Sequence, residues 1–306
     1  MKVLITGGAG FIGSHLVEHF QGAAEVRVMD NFRSGLRHNL RGFECELIEA
    51  SLLDRLAVRK AMLGVDYVFH LAAMVSVPES MLSPVECTDI NTKGTLIVLE
   101  EAARAGARKL VFSSSAAIYG DNPVVPKCEE MRPEPKSPYA VTKLDGEYYC
   151  KMFAETNQLQ TACLRYFNVF GPRQDPRSHY AAAVPIFIHH ALMGEPITIH
   201  GDGEQTRDFV YVKDVVAANA HFALKSQATG VFNVGYGQRM SVNELATLVL
   251  RLTGSQSSIL HGPGRLGDVK HSQASISRLR EAGFAASGNL SEGLGATVEF
   301  LKGCHP

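Results

Sequence analysis

Residues 137–143 read SPYAVTK, and the four-residue spacing of Tyr139 and Lys143 puts both on one face of a helix. A tyrosine that works as a base near neutral pH must come down by about 3 from its ordinary pKa near 10, roughly 4 kcal/mol of differential stabilisation. An ammonium one helical turn away, helped by a bound cationic cofactor ring, is able to supply that. Upstream, residues 110–120 read LVFSSSAAIYG, an apolar run that ends in three serines. Ser115 closes it, placed to hold the hydroxyl that Tyr139 would deprotonate. A tyrosine and lysine at this spacing also occur by chance on solvated helices, so the pair takes its weight from its surroundings.

Those surroundings begin at the first residue. Residues 1–13 read MKVLITGGAGFIG, with G-x-G-x-x-G on Gly8, Gly10 and Gly13 and G-x-x-G-x-x-G on Gly7, Gly10 and Gly13. Between a strand and a helix, such glycines allow a tight turn and let the backbone approach a pyrophosphate at the helix start. Asp30 ends the next apolar run, near the roughly 20-residue offset of the acid that holds a ribose 2′-hydroxyl. Its charge repels a 2′-phosphate and favours NAD over NADP. Arg33 stands close by and is able to receive such a phosphate, which keeps NADP open.

These residues need a frame. Continuous apolar runs at 2–6, 26–30, 45–49, 67–71, 110–114 and 162–167 read as strands covered on both faces. Helical patterns at 10–21, 53–63, 92–105 and 139–156 lie between them. The alternation predicts parallel strands with right-handed crossovers, an α/β doubly wound sheet of Rossmann type. Ligands of that fold bind outside the carboxyl ends of the strands, here after Thr6, Asp30, Leu71, Ser114 and Phe167. Past Phe170 the pattern loosens, with turns at Pro172, Pro176, Pro185 and Pro196, strands expected at 208–212 and 231–234, and a helix at 242–252. The expected division is a dinucleotide-binding domain at 1–169, to which 208–237 returns, and a smaller α/β substrate domain at 170–306.

Composition excludes several alternatives. The chain has 306 residues, 45% hydrophobic and 20% charged, long enough to bury a core without staples. Thirty basic against 31 acidic residues, with no basic block, give no support for a nucleic-acid or membrane partner. No apolar run approaches the roughly 18 residues that cross a bilayer, and no secretory signal is evident, so a cytoplasmic protein is expected. Six scattered cysteines form no C-x-x-C pair and read as reduced thiols. The 12 histidines are equally dispersed, and adjacent His189 and His190 would face different ways on a helix, so no metal is expected.

The motifs TGGAGFIG, HLAA, SSSAAIYG, SPYAVTK, RYFNVFGPRQDP and GDGEQTRDFVYVKD, in that order, resemble the extended short-chain dehydrogenase/reductases. Among these the likeness is to the nucleotide-sugar epimerases, and it runs essentially end to end. The resemblance implies NAD retained through turnover and a UDP-sugar held by the C-terminal domain. It implies that Tyr139 takes the C4 hydroxyl proton, that the C4 hydride passes to NAD, and that it returns to the other face of a turned 4-keto sugar. Ser115 then resembles the hydroxyl partner, and Lys143 the residue that lowers the tyrosine pKa and binds the nicotinamide ribose. Cofactor contacts are implied for Gly7, Gly10, Phe11, Ile12, Gly13, Asp30, Asn31, Ser34, Leu52, Leu71, Ala72, Ala73, Asn91, Ser113, Tyr139, Lys143, Tyr166 and Asn168. Substrate contacts are implied for Ser76, Ser115, Ala117, Asn168, Arg207, Arg265, Asp268 and Ser272. Of these, Asn168 and the TRDF and RLGD residues Arg207, Arg265 and Asp268 resemble the clamp on diphosphate and uridine ribose.

The same resemblance narrows the reaction. Related dehydratases carry an Asp-Glu pair, and decarboxylating relatives a Glu, where this chain has Ala116 and Ala117, whose methyl groups perform no acid–base chemistry. Ser272 stands where members restricted to glucose and galactose carry a bulky tyrosine, so room for a 2-acetamido group is expected. Ser51 and Leu52 replace the acid that often binds adenine. Helices 92–105 and 139–156 resemble those that pair as a four-helix bundle in a homodimer; packing on their own sheet alone is the other reading of their apolar faces. Arg173, Arg177 and His179 form a cationic group that either faces solvent or receives a uronate. A UDP-hexuronic acid C4 or C5 epimerase, N-acetylated or not, is therefore the alternative enzyme, and a non-catalytic NAD-binding regulator the alternative of another class.

Overall fold

The structure, a computed structural model, describes residues 1–156, 158–176, 182–264 and 269–304. Seven parallel strands form the central sheet, in the order Gly230–Val234, Gln160–Tyr166, Lys109–Ser115, Tyr67–His70, Lys2–Thr6, Glu25–Asp30 and Glu46–Glu49. Six of them are largely buried, as continuous Val, Ile, Leu and Phe runs require when helices cover both faces, while the edge strand Glu46–Glu49 stays exposed. The chain moves one way from Lys2–Thr6 to the strands Glu25–Asp30 and Glu46–Glu49, then crosses to Tyr67–His70 on the other side. That reversal opens a crevice at the carboxyl ends of the two central strands. Register aligns these ends, with Thr6 beside His70 and Met29, and Ser115 beside Tyr166.

The helix Phe11–His19 follows the glycines directly. The helix Pro138–Glu155 starts where Ser137 Oγ accepts from the Ala140 N–H at 3.2 Å, with proline at its first position. Most strand and helix ends fall within two residues of the sequence reading. The expected helix 53–63 contracts to Arg55–Ala61 because Asp54 caps it, accepting from Leu56 and Ala57 at 3.1 Å. The expected helix 92–105 is Gly94–Arg104, led in by the short helix Pro84–Thr88 and a wide π turn at Asp89–Lys93.

The expected strand at 208–212 is a larger departure. Thr206–Arg207 pairs antiparallel with Met240–Ser241, Phe209–Tyr211 pairs parallel with Asn168–Phe170, and the helix Val212–Leu224 begins at once. Asp208 divides them, its carboxylate accepting from the backbone N–H groups of Tyr236 (2.8 Å), Gly237 (2.9 Å) and Ala274 (3.0 Å). Apolarity alone could not tell the strand Phe209–Tyr211 from the helix that follows it. Beyond the sheet, Ile197–His200 pairs with Ile259–Gly262, and the helices Ala183–Met193, Val242–Thr253 and Leu290–Gly303 pack around them. Among the described residues no helix is long and apolar enough to cross a membrane.

Candidate active site

One cleft of about 530 Å³ runs over the carboxyl ends of the sheet, and most residues singled out in the sequence line it. At one end are Gly7, Gly10, Phe11, Ile12, Gly13, Asp30, Asn31, Ser34, Leu52, Leu71, Ala72 and Ala73; at the other are Ser113, Ser115, Tyr139, Lys143, Tyr166 and Asn168. The glycine loop leaves a cradle that side chains would fill. Gly7 has φ +72°, and a Cβ there would lie 2.8 Å from the Ala72 amide nitrogen; a Cβ on Gly13 would overlap the Gly7 carbonyl. The helix above starts at Gly10 with no side-chain cap and no acid in its first turn, so its N–H groups are left for an anion. Asp30 accepts from the Ala9 N–H (2.9 Å) and the Phe32 N–H (2.8 Å), while burial pushes its carboxyl above the ordinary range. A pyrophosphate-bridged dinucleotide such as NAD fits this cradle.

Arg33 corrects one expectation. Its guanidinium lies on Glu79 (2.8 Å) and Glu86 (2.5 Å), so the cation considered for a 2′-phosphate is already held by two carboxylates. Leu52 is buried and packs on Gly94, where a Cβ would stand 3.0 Å from the leucine's own; Ser51 Oγ caps the Leu53 N–H at 3.2 Å.

The reacting end is built on the strand Lys109–Ser115 and the first turns of Pro138–Glu155. Ser115 Oγ accepts from the Ala117 N–H at 3.1 Å, and the Tyr139 N–H donates to Ser80 Oγ at 3.2 Å. Lys143 Nζ donates to the Ser113 carbonyl at 2.8 Å and lies 5.8 Å from the centre of the Tyr139 ring. Burial lowers the lysine to about 8. The phenol of Tyr139 is not lowered as expected: its burial pushes it up, and the Ser115 hydroxyl works in the opposite direction.

Beneath the reacting end lies a buried polar chain. Glu147, one turn past Lys143, accepts from Ser114 Oγ (2.5 Å) and takes a bidentate grip from Arg165 (2.8 and 2.7 Å). Arg165 also donates to Tyr119 Oη (2.8 Å), which donates to Asn233 (2.7 Å) on the far edge strand. Burial alone would lower the guanidinium, but the Glu147 carboxylate holds it above its ordinary value. His70 sits between Thr6 (2.8 Å) and Thr95 (2.9 Å), kept neutral by burial and by nearby Lys143, which bring it to about 3. Neither group was anticipated. The signals were present: Glu147 shares the Tyr139 and Lys143 face, and Arg165 is a charge inside an otherwise apolar strand.

Several anticipated residues stand elsewhere. Asn91 does not line the cleft; its amide is spent on Met74 (2.7 and 3.0 Å) and Thr142 (3.0 Å), bracing the loop after His70 against the helix of Tyr139. Ser76 caps the helix Val77–Leu82 through the Glu79 N–H (3.1 Å), and Ala117 lies in the 3₁₀ turn Ala116–Tyr119. Neither borders the cleft. Arg207 lines a second cavity of about 360 Å³, which shares Asn168, Val169 and Ala182 with the first. Ser272 donates its N–H to the Thr206 carbonyl (3.0 Å) and stays outside both cavities. Arg265, Asp268, Arg177 and His179 lie outside the described residues. Arg173 borders the cleft, at φ +67°, but its guanidinium is tied to Glu18 and His15 on the helix Phe11–His19. Burial, with Arg173 adding to it, lowers His15 to about 4.

The model of the NAD dependent epimerase/dehydratase family matches residues 3–235. The chain belongs to this family. A UDP-glucose 4-epimerase of Mycolicibacterium smegmatis is 37% identical over 310 residues, 99% of each chain. A solved UDP-N-acetylglucosamine 4-epimerase of Methanobrevibacter ruminantium, in complex with UDP-N-acetylmuramic acid, superposes with TM-score 0.96 at 40% identity, covering 99% of this chain and 98% of that one. A UDP-glucuronic acid decarboxylase of Xenopus tropicalis is 35% identical over 313 residues, 98% of this chain and 72% of that one. In this epimerase/dehydratase chain the matched span ends at the last strand of the central sheet. The second cavity also draws on Val242, beyond that span.

Proposed function

We propose that the protein is an NAD-dependent UDP-sugar 4-epimerase, which takes up UDP-N-acetylhexosamines as well as UDP-hexoses. The observation that carries this reading is the single cleft joining the glycine cradle and Asp30 to Ser115, Tyr139 and Lys143. Bound NAD would supply the redox chemistry, taking a hydride from C4 of the sugar and giving it back to the other face. Tyr139 removes the C4 hydroxyl proton as that hydride leaves and restores it on return. Ser115 holds the hydroxyl and favours the phenolate, and Lys143 adds positive charge beneath the ring. Arg207, in the cavity that opens at Asn168, supports placing the UDP diphosphate there, since a guanidinium matches phosphate oxygens in pairs.

Ala116 and Ala117 speak against dehydration and decarboxylation, because the turn after Ser115 carries only methyl groups where an acid would be needed. The uronic acid reading loses its motive at Arg173, whose charge is met by Glu18. Residues 1–169, with 208–237, serve in this proposal as the cofactor domain and 170–306 as the substrate domain. A homodimer is proposed through the helix Pro138–Glu155, whose Val141, Tyr148 and Met152 leave an apolar stripe in solvent.

The test is incubation with UDP-N-acetylglucosamine and with UDP-glucose, without reductant, followed by NMR of the anomeric protons. Appearance of the galacto epimers of both is expected. Turnover of UDP-glucuronate alone would overturn the proposal.

A further inference from the structure

Arg33 leaves the loop after Glu25–Asp30, and its two partners come from elsewhere in the sequence, Glu79 on Val77–Leu82 and Glu86 on Pro84–Thr88. Each arm of the guanidinium takes a different carboxylate, at 2.8 Å and 2.5 Å. The loop is pre-shaped for this reach, with Phe32 at φ +56° and the Arg33 N–H on Asn31 Oδ1 (3.2 Å). The side chains are 37%, 38% and 48% exposed, so the fork contributes little to stability. Its effect lies in charge. Asp30, Asn31 and Arg33 border one cleft, and Asn31, Arg33 and Glu86 also border the adjoining cavity. At this rim Arg33 is met by two carboxylates, with Asp30 on the same cleft, while Arg37, stacked on Phe32, is held by Glu49.

A 2′-phosphate carries charge near −2, and a free arginine beside the ribose would match it bidentately. We infer that Glu79 and Glu86 are determinants of cofactor choice, which pre-empt Arg33 and so exclude a 2′-phosphorylated dinucleotide from a cleft that otherwise contains its receptor. Asp30 repels the phosphate directly; the two glutamates occupy Arg33, the cleft-lining arginine nearest to it in sequence. This rests on the dinucleotide reading of the cleft.

The experiment strips the protein of nucleotide and titrates it with NADH and with NADPH, reading nicotinamide fluorescence at fixed low salt. Wild type, Glu79→Gln/Glu86→Gln, and that pair combined with Arg33→Met are compared, each checked for an unchanged thermal midpoint. The NADPH-to-NADH affinity ratio is expected to rise about tenfold in the double variant and to fall back in the triple one. A ratio that does not move in the double variant overturns the inference, although NADH still binds. A rise that persists without Arg33 overturns it too, since loss of negative charge would then be the whole effect. Failure of wild type to bind NADH would overturn the cofactor reading and this inference together.

Discussion

Two arginines serve this site under opposite conditions. Arg165 lies under the reacting end, 4% exposed, its fork closed on one equally buried carboxylate, Glu147. Arg33 lies on the rim, its fork split between two carboxylates that water reaches. In the interior, an ion pair is costly to assemble and far costlier to halve, so the Arg165 pair fixes geometry. On the rim the same chemistry is nearly neutral for stability and acts on which anions can approach. Burial, more than the residues themselves, decides what each pair does.

The largest effect is expected from halving the buried pair. Arg165→Met leaves the buried Glu147 carboxylate without its counter-charge, held by the Ser114 hydroxyl alone, and should cost about 3–5 kcal/mol in urea unfolding. Adding Glu147→Leu should recover most of it. A single variant within 1 kcal/mol of wild type, on that ~3–5 kcal/mol scale, would erase the contrast between the two arginines.

Next in size is Tyr139→Phe, which removes the proton acceptor and should lower kcat by about 10²- to 10⁴-fold with KM little changed. A loss below about tenfold would place the base elsewhere. The pH dependence sharpens the same end of the cleft. Lys143 is lowered from 10.5 to about 8 by burial, so between those values the unfolded chain binds more protons than the folded one. Stability of wild type relative to Lys143→Met should therefore rise from pH 8 to 10, while activity falls as the ammonium is lost. Unfolding curves and kcat/KM profiles over that range check the two opposite slopes.

Smaller effects belong to the periphery. Ser272→Tyr should shift the kcat/KM ratio of UDP-N-acetylglucosamine to UDP-glucose by about tenfold toward the plain sugar. Glu86→Gln on the rim should move the thermal midpoint by less than about 2 °C.

What could be read in the sequence follows the same division. The glycine cradle, Asp30, and the Tyr139–Lys143 face were legible because each depends on spacing along one strand or one helical turn. The strands of the sheet were legible because burial on both faces leaves continuous apolar runs. Asn91, Arg33 and Arg173 were not, because their partners are Met74 and Thr142, Glu79 and Glu86, and Glu18, none of them near in sequence. The break at Asp208 was hidden for the same reason, since the amides that its carboxylate gathers lie beyond residue 235.

The strand Gly230–Val234 completes the sheet against Gln160–Tyr166. On the ribosome, that neighbour emerges long before its partner, and the intervening stretch takes seconds to make at about 5–20 residues per second. Throughout that interval an apolar strand edge stands open to any other extended chain. Asn233 arrives with the late strand and ties Tyr119 into the chain that ends at Glu147. The nascent protein can therefore form most of its nucleotide fold early, yet it acquires a finished floor beneath Tyr139 only after Asn233 has been made. A chain cut short before residue 230 would expose that edge for good, and aggregation rather than a smaller working enzyme is its expected fate.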